Sequence, residues 1–546
     1  MLLWLIIIPF VGAALGSLFA GKAARTWALA VSLVTAALVL LMLFRFDWRT
    51  NPVTEGDFGG SMDRSVQFKS GAGEDNPVQV GQIGFKFSLG ADAISLWLVA
   101  LTALLTPLAI AASFGSIRDR EKEYYAWMLM LLGAMLGVFV ARDLLLFYIF
   151  FELTLIPMFF IIGIWGGPER RYAAGKFFLF TFAGSVFTLA GIIYLGVQAQ
   201  SFDITAVTRF GMEHLSRGAR LWVFLAFLAG FAVKVPLFPV HTWLPLAHTE
   251  APTAGSVILA GVLLKLGTYG LLRLALPIGM VAAGGAAFPT LNAIIAVLCI
   301  IGIIYAALVA WVQQDIKKLV AYSSVSHLGF CVLGLVALTT IGVQGSVLYM
   351  INHGLSTGAM FLVIGMIYDR YHTRDINQLS GLARRMPVLA FFFVLFVLAS
   401  IGLPGLNGFV SEFLTILGAF TSKPLGVAYG VFAAIGIILG ALYMLHMTAR
   451  VIWGPLHTPE LHGEHGEHGG HEVPGDINRR EIAVLVPLAL AVVFLGVMPN
   501  AVLKTILPAV NLIVPSNTSA VRVQDESTAV KAPAAPVAIA QTPPSH

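Results

Sequence analysis

Long apolar runs, each closed by a short polar or glycine-proline segment, dominate the chain. They fall at about 2–20, 27–44, 91–113, 123–141, 144–165, 173–197, 220–244, 252–273, 288–311, 319–338, 344–367, 387–420, 426–452 and 482–502. A membrane-crossing helix takes about 20 residues, so the pattern predicts an all-α polytopic membrane protein with about 14 transmembrane helices. Two runs are interrupted, 220–244 at Val235-Pro236-Leu237-Phe238-Pro239 and 387–420 at Leu403-Pro404-Gly405 and Asn407-Gly408. These predict two helices broken in mid-membrane, which lipid tolerates only where protein or water satisfies the freed backbone groups. The expected organisation is three N-terminal spans over 1–122 with an external loop at 46–90, a five-helix unit over 123–273 and a second over 288–452. A His-rich cytoplasmic loop (453–481), a last span (482–502) and a disordered Ala/Pro-rich tail (503–546) complete it.

Composition removes the other classes. Hydrophobic residues make up 58% of 546, charged ones 11%, and mean hydropathy is +0.86. A soluble chain has about 45–50% apolar and about 25% charged residues. Soluble enzymes, disulfide scaffolds and nucleic-acid binders are excluded. The cysteines, Cys299 and Cys331, both lie in apolar runs and are too few for a thiolate-bound cluster. Met1–Ala20 lacks a basic leader and reads as a first span. Lys and Arg are concentrated in one set of alternating loops, including Arg118, Arg120, Arg170, Arg171, Lys317, Lys318, Arg370, Arg374, Arg479 and Arg480. That bias predicts both termini outside the cytoplasm.

The informative residues are ionisable groups where hydrocarbon is expected. Glu152, Lys234, Lys265 and Glu412 lie within spans, as do His327, His353 and His446, and Lys234 stands directly before the first break. Of all the Lys and Arg residues, only Lys234 and Lys265 are read as deep. A charge at the centre of a spanning helix costs about 2.5–3.5 kcal/mol on insertion scales, so these groups must face a polar interior. Burial disfavours the charged form and an opposite charge restores it. A Glu–Lys pair that closes and opens is therefore a two-state device, and a row of Lys and His joined by water relays protons without a cofactor. The competing reading is a set of fixed interhelical salt bridges, and any single histidine serves as readily as a hydrogen-bonded core group.

Glu152, Lys234 and Lys265 fall on the fifth, seventh and eighth predicted spans, and His327, Glu412 and His446 repeat the spacing five helices later, on the tenth, twelfth and thirteenth. An odd shift reverses direction through the membrane, so the expectation is two inverted five-helix repeats, with a broken helix carrying Lys234 in one and Glu412 in the other. His241, in a loop-like polar stretch near the cytoplasmic surface that runs on to Pro252, suits either an access path or the capping of broken helix ends. Lys317 and Lys318 read first as orientation anchors, with Lys318 as a weaker feed into the relay. His457, His462, His465, His468 and His471 have spacings compatible with a divalent metal, although a solvated loop is the favoured reading.

Four motifs then carry a resemblance. They are Phe151-Glu-Leu-Thr-Leu-Ile-Pro-Met158, the run from Val233-Lys-Val-Pro through His241-Thr-Trp-Leu-Pro-Leu-Ala-His248 to Thr253, Asn352-His-Gly-Leu-Ser-Thr-Gly358, and Leu403-Pro-Gly-Leu-Asn-Gly-Phe-Val-Ser-Glu-Phe413. Together they resemble the antiporter-like subunits of proton-pumping NADH–quinone oxidoreductase, respiratory complex I, over about 90–500. Phe159–Gly167 and Tyr172–Phe178 look most like the M type, the counterpart of mitochondrial chain 4. The resemblance implies an antiporter-like fold and a subunit without its own cofactor, with FMN, iron–sulfur clusters and quinone held by partner subunits. It implies the lipid bilayer and L- and N-type subunits as neighbours. By the family pattern Glu152 and Lys234 match the charge pair, Lys265 the central relay lysine, Glu412 the exit-side acid, and His327 and His353 relay positions. The alternatives are a subunit of a multisubunit Na+/H+ antiporter or of a membrane-bound hydrogenase, and, from another class, an inert membrane spacer.

Overall fold

The structure is a computed structural model that describes residues 1–19, 21–48, 65–71, 78–80, 83–282, 285–459 and 474–514. Its helices are α1 Leu2–Gly16, α2 Lys22–Arg45, α3 Ala93–Ala112, α4 Glu121–Val140, α5 Leu144–Trp165, α6 Arg170–Ala199, α7 Ile204–Glu213, α8 Arg217–Lys234 and α9 Trp243–Glu250. They continue with α10 Thr253–Met280, α11 Pro289–Trp311, α12 Ile316–Val336, α13 Thr340–Tyr371, α14 Pro387–Ser400, α15 Asn407–Phe420, α16 Val427–Val451, α17 Arg479–Val497 and α18 Asn500–Ile513. Eleven helices among the described residues are long and apolar enough to cross a membrane. Polar residues set where many begin: Asp92, Asp143, Asp203, Ser216, Asp315, Thr339 and Asn478 each accept a backbone N–H in the first turn.

Both predicted breaks are present. Helix α8 stops at Lys234 and α9 resumes at Trp243, while α14 stops at Ser400 and α15 resumes at Asn407. At each break a leucine N–H donates to the carbonyl five residues back, Leu237 to Ala232 and Leu403 to Leu398. A second likeness links the two halves. Asp143 bridges Asp203 through Leu144 N–H to Phe202 O and Ile204 N–H to Arg142 O. Asp315 bridges Asp375 through the equivalent Ile316–Arg374 and Ile376–Gln314 bonds. The first bridge lies at the end of the bundle that carries the antiparallel pair β1 Phe68–Gly71 and β2 Ser88–Ala91, and the second at the opposite, arginine-rich end.

The centre is formed by α10 and α13, whose apolar windows are wholly buried, and by α12 at 94%; the corresponding figures for α2 and α16 are 33% and 28%. A core of this kind positions side chains between helices rather than against lipid. Helix α1 has only 15 residues, fewer than the expected span. Residues 243–250, read as a loop-like stretch, are helical because apolar Trp243, Leu244 and Ala247 bury one face. Helix α7 was not foreseen, since ten residues fall below any span-length run. Helix α18 lies across the expected boundary at 502 and occupies the start of the expected tail, because Val502, Ile506, Ala509 and Val510 form a buried stripe. Most of the external loop, His462, His465, His468, His471 and the chain after Val514 lie outside the described residues.

Candidate functional site

A continuous row of polar side chains crosses the buried centre from α10 to α15. Lys265 stands just after a π-helical turn, Leu259–Leu263, within α10. That turn shifts the backbone register, and the Lys265 ammonium donates to the Ala260 carbonyl five residues back. Lys265 Nζ also meets His353 Nδ1 at 2.7 Å. The rings of His353 and His327 are 5.7 Å apart, and His327 Nδ1 lies 2.6 Å from the Tyr349 hydroxyl. Tyr349 donates to Glu412 Oε1 at 2.8 Å, while His327 Nδ1 is 3.6 Å from the same oxygen. Asn352 donates to the Asn407 carbonyl and to Ser411, so the row is tied to the start of α15 beside the break. The His353 Nε2 atom is buried without a hydrogen-bond partner among the described residues. A small polar cavity lined by His327, Tyr349, His353, Ser400 and Glu412 adjoins it.

Lys234 is held differently. Its Nζ donates to Thr154 Oγ1 at 3.4 Å and lies over the rings of Phe151, at 5.1 Å, and Phe177, at 5.8 Å. Glu152, expected as its ion-pair partner, is only half-buried and has one buried oxygen without a partner; no Glu152–Lys234 pair within 4.0 Å occurs among the described residues. Thr154, two residues on, occupies that place instead. Lys234 nevertheless stands against α10, since a Cβ added at Gly267 would sit 3.1 Å from the Lys234 Cβ.

The other expected residues separate. His241 is buried inside the break, stacked on Phe238 at 5.7 Å and edge-on to Tyr305 at 5.5 Å. Lys318 is exposed and does not reach the row. His446 is exposed on α16, and Tyr443, three residues earlier, takes the buried position the repeat assigned to it. His457 pairs its backbone with Ser380. Among the described residues no group of three or more His, Cys, Asp or Glu is arranged to hold a metal ion.

The structure also corrects the count of deep basic residues. Lys317 is buried and donates to the Ala251 carbonyl. It lines a cavity of about 690 Å³ at the arginine-rich end with Glu250, Arg374, Asp369 and Arg480. Arg273 in α10 is part-buried, its side chain 11% exposed, and is ion-paired with Asp92. His248, fully buried and stacked on Phe361 at 4.7 Å, has neither ring nitrogen hydrogen-bonded among the described residues. Tyr349 was findable as the residue one helical turn before His353. Asp92 and Arg273 gave no signal, because each lies near the edge of an apolar run.

The comparisons agree with this architecture. The family described as NADH:quinone oxidoreductase/Mrp antiporter, TM matches residues 141–448, and the NADH-ubiquinone oxidoreductase chain 4 amino terminus matches 77–139. NADH-quinone oxidoreductase subunit M of Rhodobacter capsulatus is 43% identical over 501 residues, 90% of each chain. A chain of respiratory complex I from Thermus thermophilus superposes with a TM-score of 0.79 at 29% identity, covering 94% of this chain and 100% of that one. A chain of the Mrp complex from Dietzia sp. DQ12-45-1b reaches 0.76 at 20% identity, over 94% of this chain and 52% of that one, a likeness of fold alone. With identity this high over nearly the full length of both chains, the protein belongs to the NADH-quinone oxidoreductase subunit M family.

Proposed function

We propose that this chain is the M-type membrane-arm subunit of a proton-translocating NADH–quinone oxidoreductase. It carries protons along Lys265, His353, His327 and Glu412 while electrons pass from NADH to quinone in partner subunits. The observation that supports the reading most is the buried row itself. Four titratable groups on four helices meet through contacts of 2.6–3.6 Å and one histidine-to-histidine step, with a hydroxyl bridging the last pair. Such groups are costly in a membrane interior and mark ion pathways when they occur in series. Lys234, beside the relay helix, is the group whose link to Glu152 opens and closes, with Thr154 holding the open arrangement.

The positively charged loops support a cytoplasmic arginine-rich end, and in this reading the cavity beside Lys317 is the cytoplasmic access and both termini are periplasmic. The paired backbone bridges and paired breaks support two inverted repeats, over 123–273 and 288–452. The two broad flanks, α6 on one side and α16 on the other, expose rows of large apolar residues such as Phe182, Val186, Phe187, Phe432, Ile438 and Leu442. They suit neighbours of the L and N types, with lipid covering the remainder. FMN, iron–sulfur clusters and quinone belong to partner subunits in this reading.

The test replaces Lys265 with alanine in the assembled complex and follows NADH-driven proton uptake into inverted vesicles. Proton uptake is expected to vanish while NADH oxidation by a water-soluble acceptor continues. A normal proton-to-electron ratio overturns the relay. Loss of assembly alone points to a spacer held by fixed charges.

A further inference from the structure

Below Lys265, towards the β1–β2 end, α10 carries a second polar group that the relay does not use. Tyr269 is one helical turn from Lys265 and Arg273 one further turn, about 12 Å along the axis at 1.5 Å per residue. The Tyr269 hydroxyl lies 2.8 Å from Ser95 Oγ and 3.2 Å from the Phe139 carbonyl, so it ties α10 to α3 and α4. Arg273 is ion-paired with Asp92, and Asp92 also accepts the Ser95 N–H at 2.9 Å as the cap of α3. The side chains of this pair are 11% and 2% exposed, and Arg273 Nε is buried without a partner among the described residues. A pocket at the β1–β2 end is lined by Gly90, Ala141 and Thr205 together with Asp92, Tyr269 and Arg273. The pair and the tyrosine thus stand between that pocket and Lys265.

Their position matters because Lys265 faces the opposite way. A lysine in a long helix leans towards the helix N-terminus, and here it points to Ala260, His353 and the side carrying the 690 Å³ cavity. A relay lysine reached from one side must be closed to the other, or protons run back through it. A bulky Arg–Asp ion pair held beside a hydrogen-bonded tyrosine fills this space and keeps water out of the line to Lys265. An apolar plug would do the same more cheaply, since a buried ion pair is often no more stable than a well-packed apolar replacement. An ion pair, unlike an apolar plug, admits water once it opens.

We propose that Asp92 and Arg273, capped by Tyr269, form the proton-tight external seal beneath Lys265. The inference rests on the relay reading above. The seal acts without turnover, so it is measured as passive leak. Reconstituted complex in proteoliposomes is given an imposed pH gradient in the absence of NADH, and its decay is followed with a pH-sensitive dye. Asp92→Asn and Arg273→Gln singly leave one buried charge uncompensated and draw in water. Each is expected to speed the decay several-fold with NADH oxidation retained. The Asp92→Asn/Arg273→Gln double variant keeps a hydrogen-bonded neutral pair and is expected to return to the wild-type decay. Tyr269→Phe, which leaves the ion pair intact, is expected to leak about twofold faster and serves if a single charge variant fails to assemble.

Adding Lys265→Ala to the leaky background is expected to abolish the extra leak. Single variants as tight as wild type overturn the seal, as does a double variant as leaky as either single. A leak that persists without Lys265 also overturns it, and that outcome leaves the relay standing, because redox-driven uptake is measured separately.

Discussion

Lys234 and Lys265 lie on neighbouring helices, both fully buried in the same bundle, yet they are held in opposite ways. Lys265 is already wired: it touches His353, and the path continues through His327 and Tyr349 to Glu412. Lys234 is parked on one hydroxyl at 3.4 Å and two aromatic faces, with its acidic partner out of ion-pair range. The contrast shows that a buried charge is made conductive by what continues beyond it, not by burial. On the proposed relay it also divides the work: the α12–α15 half would serve as a connected conductor, and the α5–α8 half as a switch resting in one of its positions.

The comparison is broken most severely by interrupting the row. His353→Leu in the assembled complex is expected to lower redox-driven proton uptake roughly a hundredfold, the scale of losing one positioned proton-transfer group, while electron transfer to a soluble acceptor continues. Tyr349→Phe removes the bridging hydroxyl but leaves the direct 3.6 Å approach of His327 to Glu412. Its expected cost is about fivefold, equivalent to one hydrogen bond, read in the same uptake assay. Thr154→Val takes away the single polar contact that parks Lys234 and is expected to change uptake about twofold, since a 3.4 Å bond is worth less than a short one. An effect of Thr154→Val larger than that of Tyr349→Phe would reverse the assignment of conductor and switch.

Gly267→Ala tests whether the two lysine sites are mechanically joined. A Cβ there would meet Val235 at 2.7 Å and Lys234 Cβ at 3.1 Å. The cost is about 1–3 kcal/mol of overpacking, expected as a lower thermal-unfolding midpoint with pumping impaired more than NADH oxidation. The smallest effect lies outside the spans, at Asp143. Burial pushes its carboxyl up to about 6, with Asp203 adding to the rise against three backbone N–H donors. Because the folded protein holds that proton more tightly than the unfolded chain, stability falls as pH rises from about 4 through about 6. Asp143→Asn, which can still cap α5, is expected to flatten this dependence in thermal unfolding measured across that window.

Much of this was legible from residues alone. Run lengths gave the spanning class, Pro236 and Pro404 gave both breaks, and intramembrane charges gave Lys265, His327, His353 and Glu412, since hydrocarbon tolerates such groups only in a polar interior. Other features were not legible, because they depend on which helix faces which. Glu152 and Lys234 match a charge pair in sequence, but helix rotation gives the place beside Lys234 to Thr154. His446 carries the expected spacing, yet the face of α16 that turns inward presents Tyr443. Arg273 looked like a helix-end residue until α3 brought Asp92 against it.

The sequence by itself therefore determined a membrane bundle, its two breaks and the inventory of buried charge, because these follow from the cost of polar groups in lipid and are local along the chain. Only the tertiary structure decided which charges connect, which are parked and which are sealed away. A relay is a matter of contacts of about 3 Å between helices, and helix rotation and packing set those contacts, not position along the chain.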